Sequence, residues 1–338
     1  MARRGGWRRA GSKGRFRYLD ARGNRIDDEA KLERIEALAI PPAWKDVWIS
    51  PNAGAKLQAT GVDAAGRRQY LYHPEFRARQ DQAKFDKLVR FAERLPDLRL
   101  AMAEHMDRDT YDRERVCAVA VQLLNLGWFR VGTDRYAKQS RTYGVTTLYQ
   151  KHVSVRGSRI TFAFRAKHQA RVRTTLVDDE LADAIRDLLD LPGGGRLFRY
   201  LNGDGVCALS GSVLNDYIQE HMGEEFSAKD FRTWGGTLIA AIALAEHDPP
   251  ESAAAAKRRI AAVMRTVGDR LGNTAAVARS SYVSPAVVEQ YLDGRTIDDF
   301  RPRHLRVVRA RETGLDPEEQ AVVSLLRSWR IRRSRAAA

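Results

Sequence analysis

The sequence predicts an α+β protein with a small, β-rich N-terminal domain and a larger, mainly helical domain that carries a short antiparallel β meander. Three observations support this fold class. Strand-like segments and turn residues alternate up to about residue 95, whereas apolar residues recur at helical spacing beyond Pro96. Within the helical part, residues 153–175 alternate with period two across two turns. The length of 338 residues also favours two domains over one.

Residues 18–95 are expected to form the N-terminal domain. A helical period through residues 32–39 follows an acidic start and stops at Pro41 and Pro42. Three short strands separated by glycine-containing turns are expected after it, at residues 47–49, 56–60 and 67–73. Pro96 is expected to be the hinge to the next domain.

Residues 96–325 are expected to form the helical domain. Three apolar stripes at helical spacing predict helices that face the core, at residues 116–124, 181–189 and 213–218. Asp178 is the expected cap of the second helix. Lys167 lies at the second turn of the meander, where a side chain can reach outward.

Both ends of the chain, residues 1–17 and 326–338, are basic and are expected to be mobile tails. The whole chain has 58 lysines and arginines against 43 aspartates and glutamates, a net charge of +15. With 43% hydrophobic residues it can bury a core, so it is not a disordered polycation. Nucleic acid is the expected partner. A basic enzyme without a polyanionic partner and a ribosome-associated protein are alternatives that stay open. Two roles also stay open for the tails, gripping DNA and only increasing solubility.

No cofactor is expected. Cys117 and Cys207 lack a CxxC spacing and the seven histidines lack metal-ligand spacing, so neither a metal site nor a disulfide framework is predicted. Gly203 and Gly205 lack the Lys-Ser/Thr continuation of a nucleotide-binding loop. The longest apolar run, residues 238–245, is too short to span a bilayer, and the N-terminus lacks the apolar core of a signal peptide.

Two segments predict chemistry on a phosphodiester. Lys229 and Arg232 are three residues apart, so on one helical face they would point at the same place. Tyr282 precedes a Ser-Pro pair that should open a helix. A displayed phenol is a suitable nucleophile, and the planar fork of arginine binds phosphate oxygens bidentately.

These segments and three others, in order along the chain, resemble the type IB DNA topoisomerases, in particular the poxvirus-like bacterial enzymes. The likeness runs from about residue 18 to residue 300. Its motifs are Trp128-Phe129-Arg130-Val131-Gly132, Phe164-Arg165-Ala166-Lys167, Lys229-Asp230-Phe231-Arg232, Leu271-Gly272-Asn273-Thr274 and Ser281-Tyr282-Val283-Ser284-Pro285.

The resemblance implies five catalytic residues. Arg130 and Arg232 would bind the phosphate, and Lys167 would protonate the leaving 5′-oxygen. Tyr282 would be the nucleophile. Asn273 stands where the family often has histidine, and we expect it to donate a neutral hydrogen bond to a phosphate oxygen.

Taken one at a time, these residues also have structural explanations. Arg130 would cap a helix, and Lys167 would be an ordinary turn lysine. Arg232 would lie in a buried ion pair with an acidic neighbour. Tyr282 would pack on the core at a helix start.

The strand at residues 66–73 is the expected DNA-reading element. It interleaves Arg, Gln and Tyr, and glutamine can read adenine. The similar strand of the family contacts bases in the major groove. A half-buried strand whose tyrosines belong to the core is the alternative. The predicted DNA-binding residues are Arg67, Arg68, Gln69, Tyr70, Tyr72, Arg135 and Lys229.

The resemblance further implies a monomer of the cytoplasm, associated with the nucleoid, that clamps double-stranded DNA between its domains. It would relax supercoils through a transient 3′-phosphotyrosyl bond, strand rotation and religation, without ATP or metal. Its catalytic domain would be related to the tyrosine recombinase fold. A tyrosine recombinase is the nearest alternative, although such enzymes usually carry histidine where this chain has Lys229. A non-catalytic basic DNA-binding protein is the other.

Overall fold

A computed structural model of the chain describes residues 5–12, 15–203, 205–247, 250–301 and 314–337. The chain divides into two compact units, Met1–Phe85 and Asp86–Ala338. Both units combine helices with small antiparallel sheets, so the predicted α+β class is confirmed. Within the described ranges, no helix has the length and apolar character that crossing a membrane requires.

The first unit is built on a five-stranded antiparallel sheet with the strand order β2-β1-β3-β4-β5. The Asp28 carboxylate accepts a hydrogen bond from the Lys31 backbone N–H at 2.9 Å and caps helix α1. Ile35 of α1 packs into a core with Trp7 and Ile49 of the sheet. The elements are β1 Trp7–Ala10, β2 Arg17–Leu19, α1 Glu29–Ala37, β3 Lys45–Ile49, β4 Leu57–Val62 and β5 Arg68–Tyr72.

The expected basic tail at residues 1–17 is a wrong prediction where the structure describes it. Strand β1 lies inside the sheet, paired with both β2 and β3. Trp7 is buried, and the Arg9 guanidinium donates hydrogen bonds to the carbonyls of Ile40 and Trp44 at 3.3 and 2.6 Å. This segment, rich in Arg and Gly, therefore pairs as a strand, because Trp7 is buried and the Arg9 guanidinium is hydrogen-bonded to backbone carbonyls.

The second unit is mainly helical. Its strands form a three-stranded meander in the order β6-β7-β8 and a separate hairpin, β9-β10. Helix α2 begins in the first unit and continues into the second. The helices are α2 Pro74–Met106, α3 Arg113–Gly127, α4 Asp134–Ser140, α5 Asp179–Asp190, α6 Gly211–Met222, α7 Ala228–Ala245, α8 Ala253–Leu271, α9 Ala275–Ser281, α10 Pro285–Leu292 and α11 Pro317–Ala337, and the strands are β6 Val153–Arg156, β7 Arg159–Arg165, β8 Arg171–Val177, β9 Arg199–Asn202 and β10 Gly205–Ala208.

The three helices predicted from apolar stripes are confirmed as α3, α5 and α6. Helix α3 packs against α5, α6 and α7, and most of its residues are buried. The Asp178 carboxylate caps α5 by accepting a hydrogen bond from Leu181 N at 2.8 Å. The meander is also confirmed, with Phe164 of β7 opposite Val172 of β8. The hairpin of β9 and β10 was not predicted.

Two boundary predictions differ from the structure. Pro96 is not a hinge: it lies inside α2, between the fully buried Leu95 and Leu98, and the two units divide at residues 85 and 86. Because the leucines on both sides of Pro96 are buried, their packing keeps the helix continuous across the proline. The described part of the expected tail at residues 326–338 belongs to α11, where Trp329 is buried and donates to Glu289 Oε2 at 2.7 Å.

A buried ion pair joins α2, α7 and α11. The Arg99 guanidinium donates to both carboxylate oxygens of Glu319 at 2.8 and 2.9 Å, and the Trp234 indole N–H donates to the same carboxylate at 3.2 Å. Only 3% of Glu319 is exposed. Removing one partner of such a pair leaves a charge buried without compensation.

We therefore predict that Arg99→Ala lowers the free energy of unfolding by about 3–5 kcal/mol, whereas Arg99→Met combined with Glu319→Leu recovers most of that loss. Urea denaturation measures both. Arg94→Ala is the control, because the exposed Arg94–Asp97 pair, at 3.3 Å, should be worth less than about 1 kcal/mol. Equal losses at Arg94 and Arg99 would contradict this account.

Candidate active site

Arg232 is buried near the start of α7, with only 5% of the residue exposed. Its guanidinium donates hydrogen bonds to the backbone carbonyls of Trp128 and Leu271, the latter at 2.8 Å. Its Nε is buried and has no hydrogen-bond partner among the described residues. Burial lowers the pKa of the guanidinium, against the raising effect of the nearby Tyr282 phenol. Arg232 is thus a buried cation with one donor that is not used in a hydrogen bond to any described residue.

The structural explanation of Arg232, an ion pair with an acidic neighbour, is wrong. Asp230 instead pairs with Lys87 at 2.8 Å and accepts a hydrogen bond from Ser227 N at the start of α7. Glu225 pairs with Arg90 at 2.8 Å. These contacts fix the first turn of α7, and no carboxylate of the described residues pairs with Arg232.

Arg130 reaches the same place from the end of α3. Trp128 ends that helix in the left-handed conformation, and Val145 N then donates to Arg130 O at 2.8 Å, which fixes the backbone. The Arg130 guanidinium donates to Gly272 O at 3.0 Å and to Asn273 Oδ1 at 2.7 Å. Burial and the charge of Arg232 lower the pKa of Arg130, and Tyr282 opposes that shift.

Asn273 follows α8 and uses both ends of its amide. Its oxygen accepts from Arg130, and its nitrogen donates to Leu271 O at 3.2 Å. Both ends of the Asn273 amide are therefore used within the protein when no DNA is bound. The predicted hydrogen bond from Asn273 to a phosphate oxygen is not part of this arrangement. In this arrangement Asn273 holds Arg130 to the end of α8.

Tyr282 lies between α9 and α10, and the Arg232 guanidinium lies over its ring. The guanidinium carbon of Arg232 is 4.9 Å from the centroid of the Tyr282 ring. Burial acts to raise the pKa of Tyr282, but nearby positive charge outweighs it and lowers the pKa below its usual value. Arg232 is the largest source of that charge, followed by Arg130 and Lys229. The predicted helix after the Ser-Pro pair is α10, with proline in its first turn.

Small residues of α7 let that helix approach Tyr282 closely. A Cβ on Gly236 would lie 2.8 Å from Tyr282 O and 2.9 Å from Tyr282 Cβ, so no larger residue fits. A Cβ on Gly235 would meet the Trp128 ring at 2.3 Å. Thr237 Oγ1 donates to Tyr282 O at 3.2 Å and accepts from Ser284 N at 3.1 Å. These roles were not predicted, although the Gly-Gly-Thr sequence that begins three residues after Arg232 was a visible signal.

Lys167 lies apart from the other candidates. It begins a 3-10 turn between β7 and β8, and the Gln169 amide ties this turn to Ser140 O at 2.7 Å. The neighbouring Ala166 lines a cavity of about 160 Å³ together with Arg130 and Arg232. The Lys167 side chain is exposed and has no hydrogen bond or ion pair with any described residue. The structure thus brings Arg130, Arg232, Asn273 and Tyr282 together, and Lys167 follows directly after Ala166, which lines the cavity with Arg130 and Arg232.

The predicted DNA-reading strand is β5, at the edge of the first unit's sheet. Tyr70 and Tyr72 are 50% and 43% exposed and stack at 6.3 Å, so the explanation that they belong to the core is wrong. Arg68 is exposed on the same face. Arg67 and Gln69 instead bond to Asp63, at 2.8 Å each, and the Arg67 hydrogen bonds are the main reason that the Asp63 pKa falls to about 2.

The two other predicted DNA-binding residues are in the second unit. Arg135 is exposed on α4, where its Nε donates to Gln139 Oε1 at 3.3 Å. Lys229 is exposed in the first turn of α7. Among the described residues, no group of three or more His, Cys, Asp or Glu side chains is placed to hold a metal ion.

Comparison with known proteins identifies the class. The family model described as "Eukaryotic DNA topoisomerase I, catalytic core" matches residues 73–298, and "Bacterial DNA topoisomerase IB, N-terminal domain" matches residues 15–63. DNA topoisomerase 1B of Acanthamoeba polyphaga mimivirus is 34% identical over 291 residues, 84% of this chain and 86% of the relative. DNA topoisomerase I of monkeypox virus is 22% identical, over 80% of this chain and 85% of the relative.

The protein is therefore a DNA topoisomerase, an isomerase that acts on DNA. It belongs to the type IB family, in its poxvirus-like bacterial branch. This match decides against the two alternatives, a tyrosine recombinase and a non-catalytic DNA-binding protein.

The Thr237 hydroxyl gives a test of the site's geometry. Thr237→Val keeps the shape but removes both hydrogen bonds to the backbone around Tyr282, so we predict slower DNA cleavage and a loss of about 1 kcal/mol of stability. Thr237→Ser keeps the hydroxyl and should cleave at nearly the normal rate. Single-turnover cleavage rates and urea denaturation check this. A normal cleavage rate for Thr237→Val would mean that the hydroxyl does not position Tyr282.

Proposed function

We propose that this topoisomerase relaxes supercoiled duplex DNA by transient cleavage of one strand, with Tyr282 as the nucleophile. The observation that carries the proposal is the position of the Tyr282 ring, 4.9 Å from the Arg232 guanidinium carbon. The two arginines of the site line one cavity of about 160 Å³, and we place the phosphate there. Cleavage and religation conserve the bond energy, so no nucleotide is consumed.

The cleavage step moves one proton from the phenol and one to the leaving group. The Tyr282 oxygen attacks phosphorus, its proton passes to water, and the P–O5′ bond breaks. A 3′-phosphotyrosyl bond forms, and the 5′-oxygen takes a proton from Lys167. The lowered pKa of Tyr282 favours loss of its proton. Religation is the reverse: the 5′-hydroxyl attacks phosphorus and the Tyr282 oxygen leaves.

Arg130 and Arg232 stabilise the charge that builds on the two nonbridging oxygens. Both are held by backbone carbonyls, so they are already oriented before DNA binds. The unpaired Nε of Arg232 gives the phosphate a donor that costs no existing hydrogen bond. Asn273 acts mainly on Arg130 in this proposal, and a direct hydrogen bond from its amide to the phosphate requires release of Leu271 O.

DNA is held by both units. The exposed face of β5, with Arg68, Tyr70 and Tyr72, is the proposed groove-contacting surface of the first unit. Arg135 and Lys229 are the proposed backbone contacts of the second. Reading of a base by Gln69 would require that its amide leave Asp63.

The enzyme is proposed to act as a monomer, without metal or nucleotide, on the nucleoid DNA of the cytoplasm. Protein cations supply the charge stabilisation that a metal would otherwise provide. The same set of residues supports a catalytic domain related to that of the tyrosine recombinases, which use the same chemistry.

The full-length protein should relax a plasmid in EDTA without nucleotide. Tyr282→Phe should bind the plasmid but neither relax it nor form an adduct that survives SDS, because the attacking oxygen is gone. Tyr291→Phe is the matched control and should stay active, since Tyr291 is fully buried in α10. Relaxation by Tyr282→Phe, or an absolute need for magnesium or ATP, would overturn the mechanism.

Lys167 is tested by the leaving group. If it protonates the 5′-oxygen, Lys167→Ala should slow cleavage by roughly 10²- to 10⁴-fold. A substrate with bridging 5′-sulfur, which leaves without a proton, should recover most of that loss. Arg130→Ala is the control: sulfur should not rescue it, because the nonbridging charge is still unsupported. Absence of rescue for Lys167→Ala would remove Lys167 from the role of acid.

A further inference from the structure

One end of the meander's exposed face is crowded with arginines. Alternation along β7 and β8 puts Arg165, Arg171 and Arg173 on this face. Arg165 lies directly opposite Arg171, and Arg173 lies opposite the small Ala163. All three are close in sequence to the turn that carries Lys167.

No carboxylate pairs with Arg165, Arg171 or Arg173 in the described part of the chain. Like charges directly opposite each other on a sheet are destabilising. At the other end of the same face, Arg159 lies opposite Val177 of β8 and opposite Arg156 of β6, so like charges face each other there too. Arg171 and Arg173 differ from that pair in lining the cavity of the two active-site arginines, and an external anion bound there would relieve their repulsion.

The crowded end adjoins the active site. Arg171 and Arg173 line the same cavity as Arg130 and Arg232, whereas Tyr282 and Asn273 are not among the residues that line it. Residues two apart on a strand are about 6.6 Å apart, so Arg171 and Arg173 can approach one anion from two sides. Arg159 is six residues before Arg165 on β7, so it lies about 20 Å from Arg165 along the strand.

We propose that Arg171 and Arg173, supported by Arg165, form a second phosphate subsite, which binds a backbone phosphate next to the one that is cleaved. The proposal rests on the proposed function, and it adds DNA-binding residues that lie outside the five catalytic candidates. The ligand is a phosphodiester of duplex DNA. Its role is to dock the β7–β8 end of the meander, and hence the turn with Lys167, on the strand.

The test uses full-length Tyr282→Phe protein and duplexes in which one phosphate at a time, around the mapped cleavage site, is replaced by a neutral methylphosphonate. We expect one position beside the scissile phosphate to weaken binding roughly tenfold, as for loss of a charge-assisted hydrogen bond. Adding Arg171→Ala and Arg173→Ala should weaken binding of the unmodified duplex by the same factor. In that variant the methylphosphonate should have no further effect.

Arg159→Ala is the matched control and should leave both the affinity and the methylphosphonate effect unchanged. Affinity falls with salt, so the slope of log affinity against log salt is negative. Its magnitude should be smaller by about 0.9 in the Arg171/Arg173 variant, as expected for the loss of one phosphate contact. If the alanine variant does not fold, Arg171→Gln with Arg173→Gln replaces it, judged by circular dichroism.

Equal effects of Arg159→Ala, or a methylphosphonate loss that persists without Arg171 and Arg173, would overturn the subsite. Either result leaves the proposed function standing if the wild-type protein still forms the covalent adduct. Failure of the wild-type protein to form that adduct would instead overturn the proposed function.

Discussion

The buried guanidinium of Arg232 is the interaction on which the rest of the site depends. Taking its charge out of water is costly, and the carbonyls of Trp128 and Leu271 compensate for part of that cost. Trp128 and Leu271 lie at the C-terminal ends of α3 and α8. The Arg232 side chain, on α7, therefore connects three helices. The same charge lies over Tyr282 and lowers its pKa. In the proposed mechanism, the phosphate of the DNA accepts the hydrogen bond that Arg232 Nε does not make within the described residues.

The residues at the helix ends around Arg232 allow the helices to approach each other closely. Gly236 lets α7 lie against the backbone of Tyr282, and Thr237 bonds to that backbone on both sides of Val283. Asn273, just after α8, holds Arg130 toward the same cavity. The meander also lines this cavity, through Ala166 and the arginines of β8. The cavity is therefore formed by the ends of elements, whose relative positions depend on the helical core beneath them.

The sequence predicted those features that depend on local pattern. The apolar stripes of α3, α5 and α6 have the helical period, and the motif order was sufficient to select Arg130, Arg232 and Tyr282. It did not predict β1, because Arg9 is satisfied by distant carbonyls, nor the continuous helix through Pro96. The bond from Asn273 to Arg130 was also missed, since it joins residues 143 positions apart. Such contacts follow from packing and have no local signature.

The most direct test of the central claim is to identify the residue and the DNA end that are joined in the trapped adduct. Protein mixed with duplex DNA is stopped with SDS and digested with protease and nuclease, and the remaining nucleotide-bearing peptide is sequenced by mass spectrometry. The account predicts a peptide modified at Tyr282 through a 3′-phosphate, with a free 5′-hydroxyl on the other strand end. Attachment at any other tyrosine, or through a 5′-phosphate, would contradict it.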